Sequence, residues 1–119
     1  MPTTRTREAT IKNRLLRLLN ALPRCRAIAF PGTAGRGGEP DIFCCYQGRS
    51  YFFEVKAPGA PGVTALQAAT LTKWQGAGAV ALVVRSTQEA LATLQDGGPP
   101  DAIHAFSCQG VTAWPDSGQ

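Results

Sequence analysis

Apolar residues recur along this chain at two different periods, and the switches between them mark its elements. Over residues 7–22, Ile11, Leu15, Leu18, Leu19 and Leu22 fall at spacings of three and four, which is the single stripe of an amphipathic helix. Extending the stripe back by three residues reaches Glu8. That carboxylate therefore belongs at the top of the buried face, not among the solvated arginines. Pro23 ends the helix. Residues 25–30 then read as a short strand and residues 41–46 as a second, with the glycine-rich stretch 31–38 between them. Gln47-Gly48-Arg49 reads as a tight turn and residues 50–57 as a third strand, closing a hairpin that Pro58-Gly59-Ala60-Pro61-Gly62 halts. Helical character returns over 64–75, opened by a Thr64/Gln67 capping box and closed by Gly76 and Gly78. Residues 79–85 are almost wholly apolar, as in a strand covered on both faces. Ser86 and Glu89 predict a second capping box, opening a helix to about Gln95. Beyond Gly97-Gly98-Pro99-Pro100, residues 103–108 predict a last strand, and the tail after Trp114 reads as loose.

The order is helix, three strands, helix, strand, helix, then the last strand. It predicts an α/β fold: a mixed sheet flanked by helices, with an antiparallel hairpin at its centre and a parallel strand delivered by the crossover. A length of 119 residues fits one domain, with its core over about 7–108 and a tail over 109–119. No internal repeat, low-complexity block or linker interrupts it.

Charge sharpens this picture. The chain carries a formal +4, but through Lys56 ten basic residues face four acids (Glu8, Glu39, Asp41, Glu54), whereas the remainder has only Lys73 and Arg85 against four acids. A one-sided basic surface suits a polyanion such as nucleic acid, and equally describes a solvated basic helix. Cys25, Cys44, Cys45 and Cys108 form no C-x-x-C pair and read as small core hydrophobes in a reducing compartment. Cys44 and Cys45, adjacent on a strand, point to opposite faces. The N-terminal residues are polar, without the apolar stretch of a secretory signal, and the longest apolar run is too short to span a bilayer. An intracellular protein without membrane contact is expected.

The chemistry concentrates in two short segments. Gly38-Glu39-Pro40-Asp41 leads into the second strand, and Tyr51-Phe52-Phe53-Glu54-Val55-Lys56 forms the third. Alternation puts Phe52, Glu54 and Lys56 on one face and Tyr51, Phe53 and Val55 on the other. Asp41 and Glu54, on paired strands, can offer two carboxylates to Mg²⁺, with the Val55 carbonyl as a third oxygen ligand. Such an ion polarises a phosphoryl oxygen and acidifies an attacking water, and Lys56 can orient or deprotonate that water. Taken singly, each residue has a plainer reading. Glu54 and Lys56 suit a surface pair on an edge strand, Asp41 a turn residue after Pro40, Gln67 its capping box and Glu8 a charge near a helix N-terminus. Two features favour the chemical reading. The third strand is aromatic-rich and so central, where charges are costly without a partner or a task. Gln67 shares a stripe with Leu71 and Trp74, so it can cap and face inward together.

Gly38-x-Pro40-Asp41, then Glu54-x-Lys56, then Gln67 in the next helix resembles the PD-(D/E)XK nucleases, and more narrowly the VRR-NUC domain in its short stand-alone form. The likeness runs from about Glu8 to Leu91 and takes in residues 31–38, Lys56-Ala57-Pro58-Gly59 and 76–86. It implies a restriction-endonuclease-like α/β fold and a metal-dependent DNA endonuclease without an organic cofactor. Asp41, Glu54 and the Val55 carbonyl would bind Mg²⁺ or Mn²⁺, Lys56 would be the catalytic lysine, and Gln67 would support the site from its helix. Glu8 matches an acidic residue that the family often carries near the metal. Stand-alone members resemble junction-resolving enzymes, which implies a homodimer acting on four-way DNA. The chain departs from the pattern at Glu39, where members often carry an apolar residue. It also lacks a lysine before the glycine-rich loop, having Arg24 and Arg26 on the first strand. Arg7, Lys12, Arg14 and Arg17 are expected to track a DNA backbone along the polar face of the first helix, and Arg36 to contact phosphate among the glycines. His104 reads as structural, and Trp74 as core or interface. No element resembles a base-reading module, so recognition by shape and charge is expected. The competing readings are a nuclease of the same fold that acts on flaps, single strands or a restriction target, a DNA-binding module with a dead site, and a plain α/β scaffold.

Overall fold

The computed structural model describes residues 3–30 and 38–97. The strand expected over 103–108, the tail, Arg36 and His104 lie outside the described residues.

The first helix, α1 (Thr4–Ala21), begins earlier than its apolar stripe, because the Thr3 hydroxyl accepts the Thr6 amide at 3.0 Å and caps it. It stops at Leu22, which is extended because Pro23 disfavours helical geometry in the residue before it. Three strands follow: β1 (Cys25–Ala29), β2 (Ile42–Tyr46) and β3 (Arg49–Val55), each antiparallel to the next. The hairpin turn is two residues long, not three. Tyr46 pairs with Arg49, and Gln47 (φ 50°) and Gly48 (φ 86°) both take the left-handed conformations that such a turn needs. The crossover helix α2 (Ala65–Gly76) delivers β4 (Val80–Val84) parallel to β3, and α3 (Thr87–Asp96) follows. The sheet order is β1-β2-β3-β4.

β3 is interior, as its aromatic content predicted. β4 lies at the sheet edge among the described residues; its apolar run reflects helices on both faces. The predicted box at Ser86 is half formed. The Ser86 hydroxyl accepts the Glu89 amide, but Glu89 Oε1 takes the Arg85 amide at 2.7 Å instead of that of Ser86.

Two apolar layers sandwich the sheet. Leu15, Leu19, Ile42, Tyr51, Phe53 and Leu94 pack on the α1/α3 face. Phe52, Leu71, Ala79 and Ala81 pack on the α2 face. Each large side chain so buried contributes roughly 1.5–3 kcal/mol. Cys44 joins the first layer, where burial pushes its thiol pKa up, while Cys45 is exposed on the other face and is no core residue. The outer edge of β1 is protected by Asn20. Its side chain bonds both the amide (2.9 Å) and the carbonyl (3.0 Å) of Ala27, pinning α1 to the strand.

Candidate functional site

The hairpin register brings the two carboxylates together. Ile42 pairs with Phe53, so Asp41 and Glu54 come next on the two arms, on the face toward α2. Beyond that pair the ladder changes. The Asp41 amide donates to the Phe53 carbonyl at 3.0 Å, and the Val55 amide donates to Asp41 Oδ2 at 2.7 Å. The Asp41 side chain thus substitutes for a missing backbone acceptor, which fixes its carboxylate over the end of β3. An amide and a carbonyl of one strand residue point to the same side, so the Val55 carbonyl also faces Asp41. Toward β1, the Phe30 amide donates to the Asp41 carbonyl at 2.9 Å, so Asp41 is held between its neighbours.

α2 supplies the next contact. The Thr64 and Gln67 capping box is complete: the Gln67 amide donates to Thr64 Oγ1 (3.1 Å), and Gln67 Oε1 accepts the Thr64 amide (2.9 Å). The remaining end of the same side chain, Nε2, donates to Glu54 Oε2 at 3.3 Å. One amide therefore caps the helix and anchors the carboxylate. The Lys56 ammonium lies 3.9 Å from the same oxygen. Gly38 brings the chain into this corner. Its φ is +96°, and a Cβ there would meet Leu66 Cγ at 2.7 Å and Thr70 Oγ1 at 2.9 Å, so only glycine lets the backbone lie against α2. The unusual acid Glu39 turns away from the carboxylates, and its Oε1 accepts the Trp74 indole N–H at 3.3 Å.

Glu54 is nearly fully buried, and its Oε1 has no hydrogen-bond partner among the described residues. Burial, then the charge and hydrogen bonding of Asp41, push its pKa from the usual 4.5 to about 8, with Lys56 opposing the shift and Glu8 adding to it. Without a cation this pair is electrostatically strained. Among the described residues, no three His, Cys, Asp or Glu side chains gather closely enough to hold a metal ion by themselves. The available donor set is two carboxylates and a backbone carbonyl, the oxygen chemistry that Mg²⁺ and Mn²⁺ prefer.

The solved structures contain a chain described as "VRR_NUC domain". It aligns with a TM-score of 0.58 over 75% of this chain and 95% of that one, at 19% sequence identity. This chain has the VRR_NUC fold. No protein-family model and no curated protein match it.

Within that VRR_NUC fold, Asp41, Glu54, Lys56 and Gln67 come together. Glu8 stands at the rim. Its Oε2 accepts the Ala57 amide at 3.1 Å, just past β3, and its charge reaches Glu54. The expected basic track along α1 is not one track. At 100° per residue, Arg7 and Arg14 share one flank of the buried stripe and Lys12 lies on the other, with Arg17 facing outward. The sequence reading missed Arg85. Its Nη1 donates to the carbonyls of Ala57 (2.7 Å) and Ala60 (3.0 Å). The Ala57 peptide is thereby gripped by Glu8 on its own amide and by Arg85 on its carbonyl. Nothing in the spacing of an arginine that ends an apolar run signals this. Among the described residues, no helix is long and apolar enough to cross a membrane.

Proposed function

We propose that this chain is a member of the VRR-NUC family of PD-(D/E)XK nucleases and a metal-dependent DNA endonuclease. The observation that carries the reading is the buried Glu54 Oε1, without a hydrogen-bond partner among the described residues, beside the Asp41 carboxylate. An acidic pair so placed destabilises the fold unless a cation neutralises it. Asp41, Glu54 and the Val55 carbonyl would hold Mg²⁺ or Mn²⁺. Bound there, the ion would supply positive charge against the phosphate and acidify a hydrolytic water.

The chain's own groups do the rest. Gln67 anchors Glu54 Oε2, which leaves Oε1 as the free donor. The Lys56 ammonium, on the same face, aligns the water and offsets negative charge that develops on the phosphate. Glu8 and Arg85, gripping the peptide after Lys56, limit how far that lysine can wander. A substrate with phosphates along its length suits the arginine-rich N-terminal half. At the finer level, the reading is cleavage of branched DNA, four-way junctions included, by a homodimer whose two sites cut two strands.

The test is a panel of junction, flap, duplex and single-stranded substrates with Mg²⁺, with Mn²⁺ and with chelator, alongside light scattering for mass. Metal-dependent cutting that Asp41→Ala and Lys56→Ala abolish is expected. Variants that cut as fast as wild type would show the site to be misassigned. Binding without cutting under every metal would favour a DNA-binding module, and a monomer would remove the paired-cut reading.

A further inference from the structure

The face that carries the carboxylates continues into an aromatic cavity. Pairing across the strands arranges this face in rows. The first row is Phe30, Asp41 and Glu54, joined by the Phe30 amide to the Asp41 carbonyl. The second is Ile28, Phe43, Phe52 and Ala81, and the third begins Arg26, Cys45, Ser50. Successive rows lie about 6.8 Å apart along a strand. α2 covers β4 and reaches Phe52, whose ring stacks on Trp74 with centroids 4.0 Å apart. It leaves the β1–β2 side open. Ile28 is 46% exposed, and Phe43 and Phe30 are half-buried. On this face lies a cavity of about 500 Å³ lined by Phe30, Phe43, Phe52 and Trp74, and toward the hairpin turn by Arg49 and Ser50.

We propose that this cavity seats a nucleobase: an unpaired base next to the scissile phosphodiester leaves the helical stack and packs on Phe43 and its aromatic neighbours. The inference rests on the nuclease reading above, and it names the substrate as DNA that carries an unpaired nucleotide beside the cut. A phosphate at Asp41 and Glu54 puts its own nucleotide within one row of the aromatic residues. Sugar and phosphate are polar, so the base face is the part of a nucleotide that suits an apolar row. A continuous duplex keeps that face stacked inside and would lay charged backbone over Ile28 and Phe43, which gains nothing. Glu39, bonded to the Trp74 indole, fixes the orientation of one wall. Arg26, exposed in the third row, stands where a further phosphate of the same strand would arrive. Stacking without base-edge donors predicts tolerance of base identity.

The experiment is a cycle across protein and DNA. Overhang and branched substrates are made with a normal nucleotide or an abasic analogue on either side of the mapped cut, and both are compared on wild type and on Phe43→Ala. Base–aromatic stacking predicts that removing the base lowers wild-type kcat/KM by about 5- to 140-fold. In Phe43→Ala the same removal has no effect. Phe43→Leu keeps the apolar filling and guards against a folding defect; it too loses sensitivity to the base. Equal abasic effects in wild type and both variants, or none, overturn the proposal. A fall from dimer to monomer in Phe43→Ala also overturns it, since the face would then belong to a second copy. If wild type cuts nothing, the nuclease reading fails by itself. The cavity is then judged by fluorescence anisotropy of the same DNAs, where the base-dependent difference in Kd must still vanish with Phe43.

Discussion

Replacing Glu54 by glutamine should stabilise the metal-free protein at alkaline pH while destroying the proposed metal site. In the fold, Glu54 is held by burial and by Asp41 at a pKa of about 8, against 4.5 ordinarily. The folded form therefore keeps a proton that the unfolded chain releases. Stability from this group is fullest below about pH 4.5 and falls as pH rises through the window up to 8. Each pH unit inside the window costs up to about 1.4 kcal/mol, so the loss across it is roughly 3–5 kcal/mol. The amide introduced by Glu54→Gln would carry no charge, and it can donate to Asp41 where the carboxylate repelled it. Its carbonyl can still accept from Gln67. Thermal unfolding in chelator, followed by circular dichroism at about pH 5 and about pH 8.5, on either side of most of that window, reads the difference. The two proteins should melt close together at the acid end, and the variant should melt higher by roughly 10 °C at the alkaline end. Adding Mg²⁺ should raise the wild-type midpoint and leave the variant unmoved. A variant that melts at or below wild type in alkali, or a gap equal at both pH values, would refute the reasoning.

Other perturbations read the scaffold around the pair. Gly38→Ala combines a left-handed φ with a Cβ pressed on Leu66 and Thr70, and should lower stability in denaturant by about 1–3 kcal/mol. Gln67→Ala and Thr64→Ala should each cost about 1 kcal/mol of helix capping, but Gln67→Ala alone should also reduce kcat, because only Gln67 touches Glu54. Arg85→Met keeps the aliphatic stem and loses two bonds to carbonyls. It should destabilise by about 1.5–3 kcal/mol and weaken cleavage without changing metal affinity measured by calorimetry.

Much of this was legible because it depends on local rules. Period-two alternation set the faces of β3, but the register that places Asp41 beside Glu54 needs the turn to be two residues long, one shorter than its composition suggested. The Thr64/Gln67 box and the inward stripe of Gln67 could both be read, and both hold in one side chain. What escaped the sequence depends on phase or distance. The start of α1 is set by Thr3, in a polar stretch with no apolar stripe to announce it. The basic residues of α1 looked like one surface only while their angular positions were ignored. The apolar run of β4 correctly announced two covered faces, but composition does not report strand neighbours, so its place at the edge of the described sheet was not legible. The grip of Arg85 on Ala57 and Ala60 joins segments far apart in the chain, which no spacing encodes.

The two-residue corner at Gln47 and Gly48 lies at the far end of the hairpin from the carboxylates. Its length sets how the two arms are aligned. One inserted residue there would slip one arm by a residue and turn all of its side chains to the opposite face, sending Asp41 toward α1 while Glu54 still faced α2. Sequence drift in the helices can loosen this molecule by degrees. A length change at that corner would instead separate its acids in a single step, without touching either of them.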